Sequence, residues 1–235
     1  MIRCAVLDFD GTLVASNSIK RRGFYEIAAH VPGASVILDS IFLEDEFADR
    51  HQIWRRFSQI LGSANGFLSS SEQSRWAASL ARNYTAWCER AIVACPETPG
   101  ADAALAYLRE FGCSIYINSA TPKHTLVSIV SRRGLEGRVD GIFGGPKRKA
   151  DNLGEIMKRT SSLAEEVVVI GDSDDDLVAA ASVGCHFIGI SFGPGRFSKR
   201  PSFVFDNLLH CVRKGVRLDN AGARRTSADA ARGAQ

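Results

Sequence analysis

Short apolar runs bounded by turn residues recur along the chain. The strong ones are Cys4–Leu7, Cys113–Ile117, Val167–Ile170 and His186–Ile190, with weaker ones at Gly141–Phe143 and Phe203–Phe205. They are short, rich in β-branched residues and do not alternate with polar positions, which is the pattern of strands buried on both faces of a parallel sheet. Between them lie segments with helical spacing at Ala101–Phe111, Pro122–Arg133, Asp151–Thr160 and Asp174–Val183. Strand followed by helix, repeated from residue 99 onward, predicts an α/β domain built on a doubly wound parallel sheet.

The first strand interrupts this rhythm. After Leu13 no good strand returns until Cys113, and the interval reads as helix: Ile19–His30, Val36–Phe47, Arg50–Leu61 and Ser71–Ala94, with Ser71 as the expected N-cap of the last. Gly33, the Gly62–Gly66 stretch and Pro96–Pro99 punctuate these segments. The organisation expected is a core from residues 1–14 and 97–217, an inserted helical cap from 15–96, and a disordered tail from 218–235. That tail is rich in Ala, Arg, Gly and Ser and has no apolar periodicity.

Composition narrows the class. Of the 235 residues, 45% are hydrophobic and 23% charged, which excludes a mainly disordered or collagen-like chain. No stretch approaches the ~20 apolar residues of a membrane helix, so no membrane partner is expected. The net charge of +3 comes from the C-terminal end, where Arg213, Lys214, Arg217, Arg224, Arg225 and Arg232 face only Asp219 and Asp229. A near-neutral body with a weakly basic tail reads as a solvated terminus, and nucleic acid is not the expected partner. Cys4, Cys88, Cys95, Cys113, Cys185 and Cys211 form no C-x-x-C pair and have no zinc-ligand spacing. Asp8 and Asp10 interrupt the only apolar run near the N-terminus, so no secretory leader is expected and the reading is cytoplasmic. Oligomeric state is left open.

Ligands of open parallel sheets bind at the carboxyl ends of the strands. The residues that follow each apolar run are therefore the ones to examine. Asp8, Asp10, Gly11 and Thr12 follow the first; Asn118, Ser119, Ala120 and Thr121 the second. Lys147 and Lys149 follow the third, and Gly171, Asp172, Ser173, Asp174, Asp175 and Asp176 the fourth. Carboxylates gathered around a hydroxyl and a lysine point to a hard divalent cation with oxygen ligands, foremost Mg²⁺. Asp172–Asp176 does not complete a calcium loop, because Leu177 stands where glycine is needed and Val183 where glutamate is needed. Gly193-Pro194-Gly195-Arg196 and Gly144-Gly145-Pro146 lack a Gly-Lys-Ser/Thr ending and read as ordinary turns.

These residues, in this order, resemble the haloacid-dehalogenase superfamily of phosphohydrolases. Asp8-Phe9-Asp10-Gly11-Thr12-Leu13-Val14 matches its opening motif, and Ser119 within Ile117–Pro122 is similar to its second. Lys149 within Gly144–Asn152 is similar to the third, and Gly171-Asp172-Ser173 with Asp176-Leu177 to the fourth. The resemblance implies a Rossmann-like core and assigns roles. Asp8 would be the nucleophile that forms an aspartyl-phosphate, and Asp10 would protonate the leaving oxygen and then activate water. Ser119 would bind phosphoryl oxygens and Lys149 would offset charge. Asp8, the Asp10 carbonyl and Asp172 would hold Mg²⁺, with Asp176 or Asp175 further out. The offset is needed: two like unit charges at ~3.5 Å cost about 5 kcal/mol at an effective dielectric of 20.

Bland readings compete with each assignment. Asp8-Phe9-Asp10-Gly11 could be a simple turn, Ser119 a helix cap near Pro122, and Lys147 could take the place of Lys149. Within the superfamily, Asp10 implies P–O cleavage rather than dehalogenation or phosphonate cleavage. The insertion resembles the helical-cap (C1) subfamily, which includes phosphoglycolate and sugar phosphatases. The expectation is a phosphatase acting on a small phosphorylated metabolite; the alternatives are a phosphosugar mutase or a non-catalytic binding module. Lys20, Arg21, Arg50, His51 and Arg55 are candidates for reading the leaving group, against the ordinary alternative of a solvated helix face. Phe24, Tyr25, Trp54 and Phe57 read as cap core, and Phe9 as packing against the sheet or lining the hinge.

Overall fold

The computed structural model describes residues 1–44, 49–65, 69–193 and 197–218. In chain order the elements are β1 (Cys4–Leu7), α1 (Asn17–Ala28), α2 (Ala34–Glu44), α3 (Arg50–Asn65), α4 (Ser70–Ala94), α5 (Ala101–Glu110) and β2 (Ser114–Pro122). There follow α6 (Lys123–Arg132), β3 (Gly141–Gly145), α7 (Lys149–Thr160), β4 (Val167–Gly171), α8 (Asp174–Val183), β5 (His186–Ile190), β6 (Val204–Phe205) and α9 (Leu208–Gly215). The chain divides into two compact units: Met1–Ala15 together with the chain from Cys95 onward, and Ser16–Ala94.

The first unit is a six-stranded sheet in the order β3-β2-β1-β4-β5-β6, with every pairing parallel. β1 lies inside the sheet, and Leu7 is in register with Ile117 of β2 on one side and Ile170 of β4 on the other. Leu7, Ile117 and Ile170 are all fully buried, as the unalternated apolar runs predict. The chain builds outward from β1 to β3, then crosses back to β4 and builds the other way. This reversal opens a crevice at the carboxyl ends of β1 and β4, the usual ligand position in a sheet of this order.

Backbone pairing joins the two ends of the inserted segment. Val14 pairs antiparallel with Glu97. The Ala15 N–H donates to the Pro96 carbonyl at 3.0 Å, and the Thr98 N–H to the Leu13 carbonyl at 3.1 Å. The segment Ser16–Ala94 thus departs and returns through one short backbone-paired mouth.

The second unit is helical. Phe24, Phe42, Trp54 and Phe57 are buried with Tyr84 in an aromatic cluster. Phe24 stacks on Tyr84 at 4.2 Å between centroids, and Trp54 meets Phe57 edge-on at 5.4 Å. Tyr25 is only half-buried, and its hydroxyl donates to Asp39 at 2.6 Å. Arg21 lies 3.4 Å from the Phe42 ring centroid, while His51 and Arg55 are exposed.

Several boundaries differ from the sequence reading. α3 runs through Gly62 instead of stopping before it. A Cβ at Gly62 would lie 2.7 Å from Gln73 Cδ, so this glycine permits a close helix approach and is not a breaker. Ser69, not Ser71, caps α4: its backbone N–H donates to Glu72 Oε2 at 2.7 Å, and its hydroxyl accepts from the Glu72 N–H at 3.4 Å, a reciprocal capping box. α2 is described as far as Glu44, and the expected end at Phe47 lies outside the described residues. The 194–196 part of the glycine-proline turn and the tail from 219 also lie outside them. α9 carries no clear helical signal in the sequence, because His210, Arg213 and Lys214 interrupt its apolar positions. It buries Leu208, Cys211, Val212 and Gly215 and is capped by Asn207, whose side chain accepts from the Leu209 N–H at 3.0 Å. Among the described residues no helix is long and apolar enough to cross a membrane.

Candidate active site

The four sequence segments converge at the carboxyl edge of the sheet. Asp8 follows β1 directly, and its N–H continues the ladder by donating to the Ile170 carbonyl at 2.9 Å. Asp172 follows β4, and Asp176 lies in the first turn of α8. Asp8, Asp172 and Asp176 are all buried, and each offers a carboxylate oxygen within 4.8 Å of the others. Lys149 opens α7, two residues earlier than the helix start expected at Asp151. Its ammonium bonds Asp8 Oδ1 at 2.9 Å and Asp176 Oδ1 at 2.7 Å. Lys147 is exposed and pairs with Glu155 at 2.9 Å instead. Asp175 is exposed and lies 3.8 Å from the Lys149 ammonium.

Ser119 and Asp10 complete the constellation. Ser119 is buried on β2, and its Oγ accepts from the Thr121 N–H at 3.1 Å. Asp10 is buried, and its Oδ2 accepts from the Thr121 hydroxyl at 2.8 Å. Phe9, between the two opening aspartates, is fully buried.

One buried ammonium faces several buried carboxylates, and this sets the titration of the site. Burial raises Asp8 to about 7; Lys149 opposes that rise, and Asp176 and Asp10 add to it. Asp176 is likewise raised by burial, against the pull of Lys149 and the Ser173 hydroxyl. Burial pushes Lys149 down, but Asp8 and Asp176 outweigh it and hold the ammonium above the ordinary lysine value. Lys149 therefore stays charged, while burial leaves Asp8 and Asp176 holding protons more readily than free carboxyl groups do. An all-carboxylate donor set whose ionised form needs more positive charge than one ammonium supplies fits a hard divalent cation such as Mg²⁺.

Two residues that sequence reasoning left without a role hold Lys149 in place. Asn118 donates from Nδ2 to the Lys149 carbonyl at 3.0 Å and accepts from Asn152 Nδ2 at 3.0 Å. Both amides are buried, so the first turn of α7 is tied to the end of β2. Asn118 stands beside Ser119 and Asn152 three residues after Lys149, a spacing that puts both side chains of α7 at one end of the helix. Their pairing across elements carried no signal in a single sequence.

Residues 2–184 match the model of the haloacid dehalogenase-like hydrolases, and the chain belongs to that family. A phosphoglycolate phosphatase of Vibrio cholerae is 24% identical over 119 residues, 47% of this chain and 53% of the relative. One from Cereibacter sphaeroides strain ATCC 17025 is 36% identical over 93 residues, 38% of this chain and 42% of the relative. The chain thus spans about half the length of the curated relatives it matches. Among solved structures, one described as a predicted phosphoglycolate phosphatase from Haemophilus somnus 129PT superposes with a TM-score of 0.69 at 16% identity. That match covers 90% of this chain and 97% of the other. A Thermotoga maritima chain provisionally described as a β-phosphoglucomutase gives 0.68 at 14% identity, covering 92% and 100%. At such identities the likeness is one of fold.

Proposed function

We propose that this chain is a Mg²⁺-dependent phosphatase that cleaves the P–O bond of a small phosphorylated metabolite through an aspartyl-phosphate at Asp8. The observation that carries this reading is the buried Lys149 ammonium bridging Asp8 and Asp176, with Asp172 beside them. A turn or solvated loop has no use for a lysine and three carboxylates withdrawn from water together. Phosphoglycolate, the substrate in the names of the matched relatives, is the first to test.

Asp8, Asp172, Asp176 and the Asp10 carbonyl would hold the cation, which when bound supplies charge stabilisation to the reacting phosphoryl group. The Asp8 carboxylate attacks phosphorus while Lys149 offsets its repulsion from the phosphate oxygens. The Ser119 hydroxyl binds one of those oxygens. Asp10 gives its proton to the leaving oxygen, then takes one from the water that cleaves the aspartyl-phosphate. The helical segment 15–96 acts as the cap that selects the leaving group. The six free thiols suit a reducing cytoplasm.

The test is phosphate release from 2-phosphoglycolate and a panel of sugar phosphates, with Mg²⁺ or with EDTA, for the wild type and Asp8→Asn. Mg²⁺-dependent release abolished by the substitution supports the reading. Isomerised sugar phosphate without net release would identify a mutase. A folded, inert protein across the panel would return weight to a binding role.

A further inference from the structure

Asp10 has a hydroxyl among its partners. The Lys149 ammonium bonds go to Asp8 and Asp176, whereas Asp10 Oδ2 accepts a hydroxyl from Thr121 at 2.8 Å. Thr121 also donates its backbone N–H to Ser119 Oγ at 3.1 Å. This bond fixes the turn that presents the hydroxyl, in the stretch where the β2–β3 register shifts between Asn118 and Pro122. One residue at the end of β2 therefore touches both the phosphate-binding hydroxyl and the acid/base carboxylate.

We infer that Thr121 is the positioning residue for Asp10, with a hydroxyl that holds this carboxyl group in both of the protonation states the two half-reactions require. The inference rests on the reading of Asp10 as acid and then base. In the first half-reaction the bond from Asp8 to phosphorus forms, the bond to the leaving oxygen breaks, and the Asp10 proton moves to that oxygen. Asp10 is left as a carboxylate, which accepts the Thr121 O–H. In the second, water oxygen bonds phosphorus, the Asp8–phosphorus bond breaks, and the water proton returns to Asp10. The proton that Asp10 gives and takes back sits on the oxygen that Thr121 does not hold, so the Thr121 O–H goes on donating to Oδ2 in the acid as in the carboxylate.

The experiment compares wild type, Thr121→Val, Thr121→Ser, Asp10→Asn and the Thr121→Val/Asp10→Asn double variant, each checked for folding by circular dichroism. Thr121→Ala replaces Thr121→Val if the latter does not fold. Rates are read on 2-phosphoglycolate, whose alkoxide leaving group needs a proton, and as a pre-steady-state burst on p-nitrophenyl phosphate, whose leaving group is stable as an anion. Thr121→Val lowers kcat on the alkyl phosphate by about 100-fold, the scale of a misplaced acid/base group, with KM within about threefold. The p-nitrophenol burst rate falls far less, Thr121→Ser recovers most of the lost rate, and Thr121→Val has no further effect once Asp10 is Asn. If Asp10→Asn is impaired but Thr121→Val stays within about threefold of wild type, the inference fails alone. If Asp10→Asn is itself unimpaired, the acid/base reading fails and takes the inference with it.

Discussion

Gly171 leaves the space that Asp176 occupies: a Cβ built on Gly171 would lie 2.5 Å from both Asp176 Cβ and Asp176 Oδ2. Asp176 bonds Lys149 and accepts the Ser173 hydroxyl at 2.6 Å, so it cannot retreat without breaking both contacts. The glycine that ends β4 is thus required by the carboxylate five residues later. Gly171→Ala should cost about 1–3 kcal/mol through overpacking and raise the Mg²⁺ concentration needed for half-maximal activity. Thermal melting and Mg²⁺ titration of the activity read the two effects separately.

Removing the ammonium should be worse than removing any one carboxylate. Lys149, Asp8 and Asp176 have side chains 7%, 5% and 2% exposed, so Lys149→Met leaves buried negative charge without compensation. A broken buried pair of this kind costs about 3–5 kcal/mol. Added Mg²⁺ should raise the melting temperature of Lys149→Met by more than that of the wild type, because a cation then has the whole charge to balance. Equal shifts in the two proteins would count against a shared site.

The raised Asp8 gives a pH signature with a definite sign. Its native value of about 7 exceeds the ordinary carboxyl value of 3.8, so between these pH values the folded chain holds a proton that the unfolded chain has released. Stability from this group is complete below about 4 and is lost as pH rises toward 7. In EDTA, the urea midpoint of the wild type should therefore fall from pH 4.5 to pH 7.5 relative to Asp8→Asn, which has no carboxyl to titrate there. Asp176, also raised, adds to the same slope. Mg²⁺ needs ionised ligands, so its stabilising effect should grow across the same interval.

The buried amide pair offers a cycle of its own. Asn152→Leu removes the donor to Asn118 Oδ1 and strands an acceptor that is out of water, at about 1–3 kcal/mol. The Asn118→Leu/Asn152→Leu double variant should cost less than the sum of the singles, since it leaves neither side-chain partner orphaned. Turnover should drop most in the two variants that lack Asn118, because only there does the Lys149 carbonyl lose its tie to β2. Urea unfolding and kcat measured on the same preparations test both statements.

Much of this was legible in the chain because the signals are local. Cys4–Leu7 and Val167–Ile170 announce buried strands by composition alone, and the polar residues after them must fall at the strand ends. Asp8, Asp172 and Asp176 could therefore be assigned to one edge before any coordinates. What escaped notice depends on contacts between distant residues. α9 presents His210, Arg213 and Lys214 among its apolar positions, so its buried stripe is visible only once β5 and α5 supply a surface to meet it. Thr121 stood in plain view after β2, but nothing in its neighbours says that its hydroxyl reaches Asp10. Ser69 lost to Ser71 as a cap because both are serines and only the backbone geometry separates them.

The paired mouth formed by Val14 and Glu97 bears on how such a chain can vary. Seen from the sheet, everything between Ala15 and Cys95 is a single closed loop whose ends are already joined by backbone hydrogen bonds. Closing a loop becomes costlier only with the logarithm of its length, by about 0.6 kcal/mol per doubling. Helices between those ends can be lengthened, shuffled or exchanged without altering the register of β1 against β2 and β4. A change of length in that segment therefore leaves the aspartates and lysine of the sheet edge where they are.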